Sequence, residues 1–101
     1  MNRATGMLGL CARAGKLVSG EKAAVAAIRG GSARCALLDK AAAANTEKSV
    51  TDACAYHGVP LIRVEEDALG DAIGKPGRMA AAVTDPGFAE GLLKLAQGDK
   101  P

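Results

Sequence analysis

Aromatic residues are almost missing from this chain. Its 101 residues include no tryptophan, a single tyrosine (Tyr56) and a single phenylalanine (Phe88). Modules that hold single-stranded nucleic acids by stacking bases on aromatic side chains need more of them than this. If nucleic acid is the ligand, it must therefore be a folded shape that is contacted through backbone and polar groups.

Cysteine is also scarce, and long apolar runs are missing. The three cysteines, Cys11, Cys35 and Cys54, are widely spaced and odd in number, which fits neither a disulfide framework nor a zinc pattern. We expect all three to be small buried residues. No apolar run approaches the ~20 residues that span a bilayer, and the first residues lack the apolar segment of a signal peptide. The expectation is a soluble cytoplasmic protein.

The net charge is only +2, but the sign of the charge changes along the sequence. Up to Lys40 there are seven basic residues and two acidic ones, whereas positions 41–74 contain two basic residues and six acidic ones. One part of the surface could therefore face phosphate groups while another is repelled by them. Charge alone is equally compatible with a mixed, solvated surface.

Apolar spacing and turn residues predict helices that alternate with short strands. Helices are predicted from Asn2 to Gly15, from Ser19 or Gly20 to Gly30, from Asn45 or Thr46 to Gly58, over residues 68–73, and onward from Thr84 or Asp85. Strands are predicted at residues 17–18, 35–38, 60–64 and 79–83. Strands that are apolar throughout indicate a sheet covered on both faces. We expect an α/β fold, a three-layer α/β/α sandwich with a mixed four-stranded sheet flanked by about five helices.

Phosphate-loop and catalytic patterns fail on spacing or context. Residues 9–16 have five positions between their glycines and residues 70–75 have three, so neither is a Walker loop. His57 lies at a predicted helix end, where capping is a better role than catalysis. The acidic run 65–67 resembles a metal cluster, but carboxylates at a helix start more often complement the helix dipole. We predict no catalytic residue, no metal site and no cofactor.

The most informative feature is Gly20-Glu21-Lys22 at the start of the second predicted helix. Free backbone N–H groups and the helix dipole both attract anions at such a position. The segment also lies in the basic part of the sequence. These observations indicate RNA binding, although any one of the lysines and arginines could equally be a solvated surface charge.

Four segments in a fixed order carry a family resemblance. They are residues 8–21 (LGLCARAGKLVSGE), Asn45-Thr46, residues 69–75 (LGDAIGK) and residues 82–89 (AVTDPGFA). Together they resemble the bacterial YlxQ-type proteins of the ribosomal protein L7Ae/L30e superfamily, from about Met7 to about Leu95. The resemblance implies one RNA-binding domain, which we assign to residues 1–101, and we expect residues 98–101 to be frayed. It also implies a non-enzymatic monomer that binds kink-turn RNA, on the ribosome or in another ribonucleoprotein, and no membrane.

The resemblance further implies which residues contact the RNA. The helix that begins at Gly20 would enter the widened groove beside the tandem sheared G·A pairs of the bent RNA. Lys22 would donate to a guanine edge and Glu21 would accept from a guanine N–H, while cations in the loop at residues 74–78 would contact phosphates. The full predicted set is Lys16, Ser19, Gly20, Glu21, Lys22, Lys40, Gly74, Lys75 and Arg78.

The sequence departs from the family pattern at three positions. Members typically carry Glu or Gln three residues after the glycine and Lys six residues after it, where this chain has Ala23 and Ala26. Lys40 stands where relatives usually carry an acid. Each missing base contact removes roughly 1–3 kcal/mol of discrimination. The alternative hypothesis is therefore an interaction domain that kept the fold and binds a protein or another RNA. An enzyme is a third hypothesis, supported only by Cys11, His57 and the acidic run.

Overall fold

Helices and strands alternate along the part of the chain that the structure describes. A computed structural model describes residues 3–98, with side chains for residues 3–96. The elements are α1 (Arg3–Arg13), β1 (Leu17–Ser19), α2 (Glu21–Arg29), β2 (Cys35–Asp39), α3 (Ala44–His57), β3 (Leu61–Val64), α4 (Ala68–Ile73), β4 (Ala80–Val83) and α5 (Pro86–Gly98). Each predicted element is present within a few residues of its expected bounds. The predicted cap Asn2 lies outside the described residues. Of residues 98–101, which we expected to be frayed, Gly98 is the last residue of α5 and the other three also lie outside the described residues.

The four strands form one mixed sheet in the order β1-β4-β2-β3. Strand β4 lies antiparallel between β1 and β2, with Val18 opposite Ala82 and Leu37 opposite Ala81. Strands β2 and β3 are parallel, with Leu37 opposite Ile62. This parallel pair requires a crossover, which α3 supplies.

Alternate residues of the two central strands fill two separate cores. Ala36 and Leu38 of β2 pack with α2 and α3 on one face of the sheet. Cys35 and Leu37 pack with α1, α4 and α5 on the other face. All five residues of β2 and all four of β4 are buried, which explains the continuous apolar runs at residues 35–38 and 80–83. The predicted three-layer α/β/α sandwich is thus confirmed.

The sequence predicted the capping residue of α5 correctly and that of α3 incorrectly. The Asp85 Oδ2 atom accepts a hydrogen bond from the Phe88 N–H at 2.9 Å, so Asp85 caps α5 as expected. For α3 the prediction is wrong, because the N-cap is Ala43 and no side chain caps the helix. Thr46 instead donates its hydroxyl to Glu21 on α2, at 2.7 Å. The Thr46 hydroxyl therefore links α3 to α2 and does not cap its own helix.

The acidic run before α4 also differs from its predicted role. Asp67 is the N-cap of α4 but makes no side-chain cap bond, and it has a positive φ of 64°. Glu65 pairs with Lys40 instead of facing the helix start. Glu65 therefore serves a neighbouring loop, and Asp67 does not cap the first turn of α4 with its side chain. None of the helices within residues 3–98 is long and apolar enough to cross a membrane.

Candidate nucleic-acid interface

Most of the predicted site residues meet at one end of the sheet. Strands β1, β2 and β3 end there, and β4 begins there, because Ser19 pairs with Ala81, Leu38 with Ala80 and Asp39 with Val64. We call this end the Gly20 edge. It comprises residues 19–22, 39–40, 65–67 and 74–79.

Gly20 turns the chain from β1 into α2 at this edge. Its N–H donates to the Ala80 carbonyl at 2.8 Å, and its own carbonyl accepts the first helical bond from Ala24 at 2.9 Å. The dihedral angles are φ 100° and ψ 149°, a region that is essentially open only to glycine. The sharp change of direction therefore depends on the absence of a Cβ at this position.

Arg78 joins the loop before β4 to the end of β1. Its Nη1 atom donates to the Ser19 carbonyl at 3.0 Å and to the Ser19 hydroxyl at 3.1 Å. A Cβ on Gly20 would lie 3.2 Å from the same nitrogen. The structure thus brings Ser19, Gly20 and Arg78 into one contact, and it gives Arg78 a positioning role besides the predicted phosphate contact. The guanidinium has five N–H donors, so others remain for a ligand.

The loop over residues 74–78 is held closely against α4. The Lys75 N–H donates to the Gly70 carbonyl at 2.9 Å, and a Cβ on Gly70 would lie only 2.8 Å from the Lys75 carbonyl oxygen. Gly74 and Gly77 both have positive φ, which the two turns of the loop require. This packing fixes the loop beside Gly20 and leaves Lys75 exposed.

Helices α2 and α3 both begin at the Gly20 edge. Neither first turn has a side-chain cap, so backbone N–H groups at both starts remain available to an anion. The hydrogen bond from Thr46 to Glu21 Oε1 links the two first turns and holds one oxygen of that carboxylate. Lys22 is exposed beside them. The arrangement suits a negatively charged ligand.

Two acidic groups organise the neighbouring loops of the edge. Asp39 is buried, and its Oδ1 accepts from the N–H groups of Ala41 at 2.8 Å and Asp67 at 3.1 Å. Its Oδ2 has no partner among the described residues. Lys40 makes an exposed ion pair with Glu65 at 2.8 Å. Exposed pairs of this kind contribute little stability, so Lys40 can exchange Glu65 for a phosphate at small cost.

Lys16 is the one predicted site residue that lies elsewhere. It precedes β1, and its carbonyl accepts from the Thr84 N–H at 2.9 Å, beyond the far end of β4. Gly20 follows it by four positions along an extended segment, a distance of about 13 Å at roughly 3.3 Å per residue. The structure does not bring Lys16 together with the other predicted residues.

Of the residues considered for catalysis, the cysteines are buried and His57 lies away from the Gly20 edge, whereas the acidic run 65–67 is exposed at that edge. Cys11, Cys35 and Cys54 are all buried free thiols, as predicted. Burial, with a smaller contribution from Asp85, raises the pKa of Cys11 to about 11, and burial raises the pKa of Cys35 to about 12. His57 is exposed at the end of α3, with its ring 4.9 Å from that of Tyr56. Within residues 3–98, no group of three His, Cys, Asp or Glu side chains could hold a metal ion.

Three residues of this interface were missed by sequence reasoning. Asp39, Thr46 and Gly70 shape the edge through contacts with residues 25 or 28 positions away or through close backbone approach. Thr46 and Gly70 lie in segments that carry the family resemblance, and this position could have identified them as interface residues. For Asp39, the only indication in the sequence was that a charged residue directly follows the apolar run at residues 35–38.

Comparison with known proteins identifies the family. The model of the ribosomal protein L7Ae/L30e/S12e/Gadd45 family matches residues 3–93. The chain is 49% identical over 90 residues to the RNA-binding protein YlxQ of Bacillus subtilis (strain 168), covering 88% of this chain and 90% of that protein. It is 36% identical over 97 residues to the RNA-binding protein YlxQ of Enterococcus faecium, covering 95% and 93% of the two chains.

Solved structures agree with this result. A protein of unknown function from Bacillus halodurans superposes with a TM-score of 0.91 at 34% identity, covering 99% of this chain and all of that one. The Giardia lamblia 15.5kD RNA binding protein superposes with a TM-score of 0.74 at 19% identity, covering 93% and 84%, and shares the fold. The resemblance found in the sequence is confirmed: this chain belongs to the ribosomal protein L7Ae/L30e/S12e/Gadd45 family.

Proposed function

We propose that this chain is a non-enzymatic RNA-binding protein that recognises kink-turn-like RNA through the Gly20 edge. The observation that carries the proposal is the pair of uncapped helix starts, α2 and α3, beside the loop at residues 74–78. The names of the two YlxQ relatives, both RNA-binding proteins, support it. We further propose a cytoplasmic monomer with one RNA-binding domain over residues 1–101, associated with the ribosome or another ribonucleoprotein.

Each part of the edge has a chemical role in this proposal. The first turn of α2 enters the widened groove, and Lys22 donates to the O6 and N7 acceptors of a guanine. Glu21 keeps its second oxygen free for a guanine N–H while Thr46 holds the first. Lys75 contacts a phosphate, and Arg78 keeps Gly20 and the loop in register for both contacts. Phosphate contacts position the RNA, and the base edges and the bend supply specificity.

Ala23 and Ala26 limit what α2 can read. Both are exposed on the helix and carry no group that can hydrogen-bond a base edge. Recognition therefore depends on the shape of the bent RNA, on Lys22 and on the loop at residues 74–78. The alternative of an interaction domain for a protein or another RNA rests on these two alanines alone, and it is retained as an outcome of the experiment.

The experiment is a binding titration with a kink-turn hairpin and a matched hairpin whose G·A pairs are replaced by Watson–Crick pairs. Both are measured at low and at near-physiological salt. We expect selective binding to the kink-turn, with affinity that decreases as salt rises because released counterions weaken phosphate contacts. Equal weak binding to both hairpins that disappears with salt would contradict kink-turn recognition and favour the alternative.

A double substitution, Ala23→Glu with Ala26→Lys, completes this test. Both positions are exposed, so the fold should tolerate the change. A small gain in affinity over a wild type that already binds would mean that Lys22 and the loops compensate for the alanines. Binding by the double variant alone would mean that the natural chain serves another ligand.

A further inference from the structure

A groove runs from the Gly20 edge along the seam between α2 and α3. Its walls carry residues of both helices: Glu21, Lys22, Val25, Ala26, Arg29 and Ser49. Glu21 and Lys22 also belong to the Gly20 edge, so the groove continues the proposed RNA surface without interruption. We call it the α2–α3 groove.

The α2–α3 groove carries a net positive charge, because Lys22 and Arg29 face the single carboxylate of Glu21. Lys22 and Arg29 are exposed, and within residues 3–98 neither has an ion-pair or hydrogen-bond partner for its side chain. In contrast, Lys40, Lys48, Arg63 and Lys94 each pair with a carboxylate. The acid in the groove, Glu21, already accepts a hydrogen bond from Thr46. The two unpaired cations are therefore free to bind an anion.

Helical spacing places these cations along one line. Ala26 follows Lys22 by four residues and precedes Arg29 by three, so all three share a side of α2. Lys22 and Arg29 are two turns apart, about 10.5 Å at 1.5 Å rise per residue, so Arg29 can contact a phosphate while Lys22 contacts a guanine edge. The methyl group of Ala26 leaves the space between them open.

We propose that the α2–α3 groove holds the phosphate backbone of the RNA strand that leaves the Gly20 edge, with Arg29 as a further phosphate-binding residue. The proposal rests on the proposed function. The planar guanidinium of Arg29 suits bidentate contact with a phosphate. Arg29 lies about one turn after Ala26 on α2, and it supplies a positive charge that the alanine side chain lacks. Ser49 adds a half-buried hydroxyl from α3 to the same groove.

The test compares Arg29→Gln with Arg34→Gln in titrations against the kink-turn hairpin over a range of salt. Arg34 is a matched control, because it is also exposed and has no side-chain partner among the described residues, but it precedes β2, at the end of the sheet opposite the Gly20 edge. We expect Arg29→Gln to weaken binding about tenfold at low salt and to reduce the slope of log affinity against log salt by about one unit. Arg34→Gln should leave both quantities nearly unchanged.

Variants at Ala26 give an independent measurement in the same groove. Ala26→Glu places a negative charge between the two cations on an exposed helical position and should weaken binding at least as much as Arg29→Gln. Ala26→Lys in the Arg29→Gln background should restore the salt slope. Equal effects of Arg29→Gln and Arg34→Gln on RNA affinity, or no effect of Ala26→Glu, would contradict phosphate binding in the α2–α3 groove. Neither result would contradict kink-turn binding at the Gly20 edge. A wild type that does not bind the hairpin would overturn the proposed function, and this inference with it.

Discussion

At the scale of single residues, glycine and arginine determine the geometry of the candidate interface. Gly20 has a backbone conformation that side chains do not tolerate, and Arg78 occupies the space beside it. Ser19 receives both hydrogen bonds from Arg78 Nη1. The start of α2 is thereby attached to a loop that lies 59 residues later in the sequence.

We predict that Gly20→Ala reduces both stability and RNA affinity. The strained dihedral angles alone should lower the free energy of unfolding by about 1–3 kcal/mol. The new Cβ would also press on Arg78 Nη1 at 3.2 Å and displace it from Ser19. Urea unfolding and the kink-turn titration measure the two effects.

Gly6→Ala is the matched control for that substitution. Gly6 lies within α1, and a Cβ there meets no atom within 4 Å. Replacing glycine by alanine inside a helix should raise the free energy of unfolding by about 0.5–1 kcal/mol and leave RNA affinity unchanged. Equal stability changes for the two variants would contradict the special role of Gly20.

At the scale of helices and strands, the described helices begin in different ways. Asp85 caps α5 with a hydrogen bond to the Phe88 N–H, whereas α2 and α3 begin without a side-chain cap. Uncapped starts cost stability, since backbone donors lack a protein partner. Helix α4 also begins without a side-chain cap. The starts of α2 and α3 lie together at the Gly20 edge, where an anionic ligand can satisfy them. The capped helix packs on the opposite face of the sheet.

We predict that Asp85→Ala lowers the free energy of unfolding by about 1 kcal/mol, the usual contribution of an N-cap. Asp85→Ser should retain most of the stability, since a serine hydroxyl can accept the same hydrogen bond. Chemical unfolding of the three proteins measures the difference. RNA affinity should remain at the wild-type value, because Asp85 lies beyond the end of β4 that is far from the Gly20 edge. A parallel loss of stability in both variants would exclude capping as the cause.

At the scale of the whole molecule, two hydrophobic cores share one sheet. Alanines at Ala80, Ala81 and Ala82 face these cores from β4 and allow helices to approach both faces closely. Cys11 and Cys35 lie in one core and Cys54 lies in the other. Their burial disfavours the thiolate form, which explains the raised pKa values.

We predict that the protein loses stability as pH rises above about 9. The thiols have folded-state pKa values of about 11 for Cys11 and about 12 for Cys35, above the ordinary value of 9.0. The unfolded chain therefore releases these protons first, and the folded state loses relative stability between pH 9.0 and about 12. Urea unfolding at a series of alkaline pH values measures this decrease.

Cys35→Ala isolates the thiol contribution from that of other groups that titrate at alkaline pH. The variant should be less stable at neutral pH because a buried sulfur is removed, but its stability should decrease less steeply with pH. Alkylation adds a second readout, since native thiols should react far more slowly than unfolded ones. Identical pH profiles for the variant and the wild type would contradict the assignment.

Sequence reasoning predicted the local features of this protein well. Apolar runs identified β2 and β4, a glycine with positive φ ends α3 at Gly58, and Asp85 before Pro86 located the start of α5. These features depend on neighbours within a few residues. The predicted cap of α3 was wrong because the Thr46 hydroxyl donates instead to Glu21 on α2, 25 residues away in the sequence.

The sequence by itself determined the elements, the buried strands, the cysteine environment and the family, because each depends on local periodicity or on short segments in order. Only the tertiary structure decided which predicted site residues meet. It placed Ser19, Gly20, Lys22, Lys75 and Arg78 at one end of the sheet and Lys16 at the other. It also aligned Arg29 with Lys22 in the groove beside α3. Strand order and helix packing create these proximities, and neither is encoded in the spacing of residues along the chain.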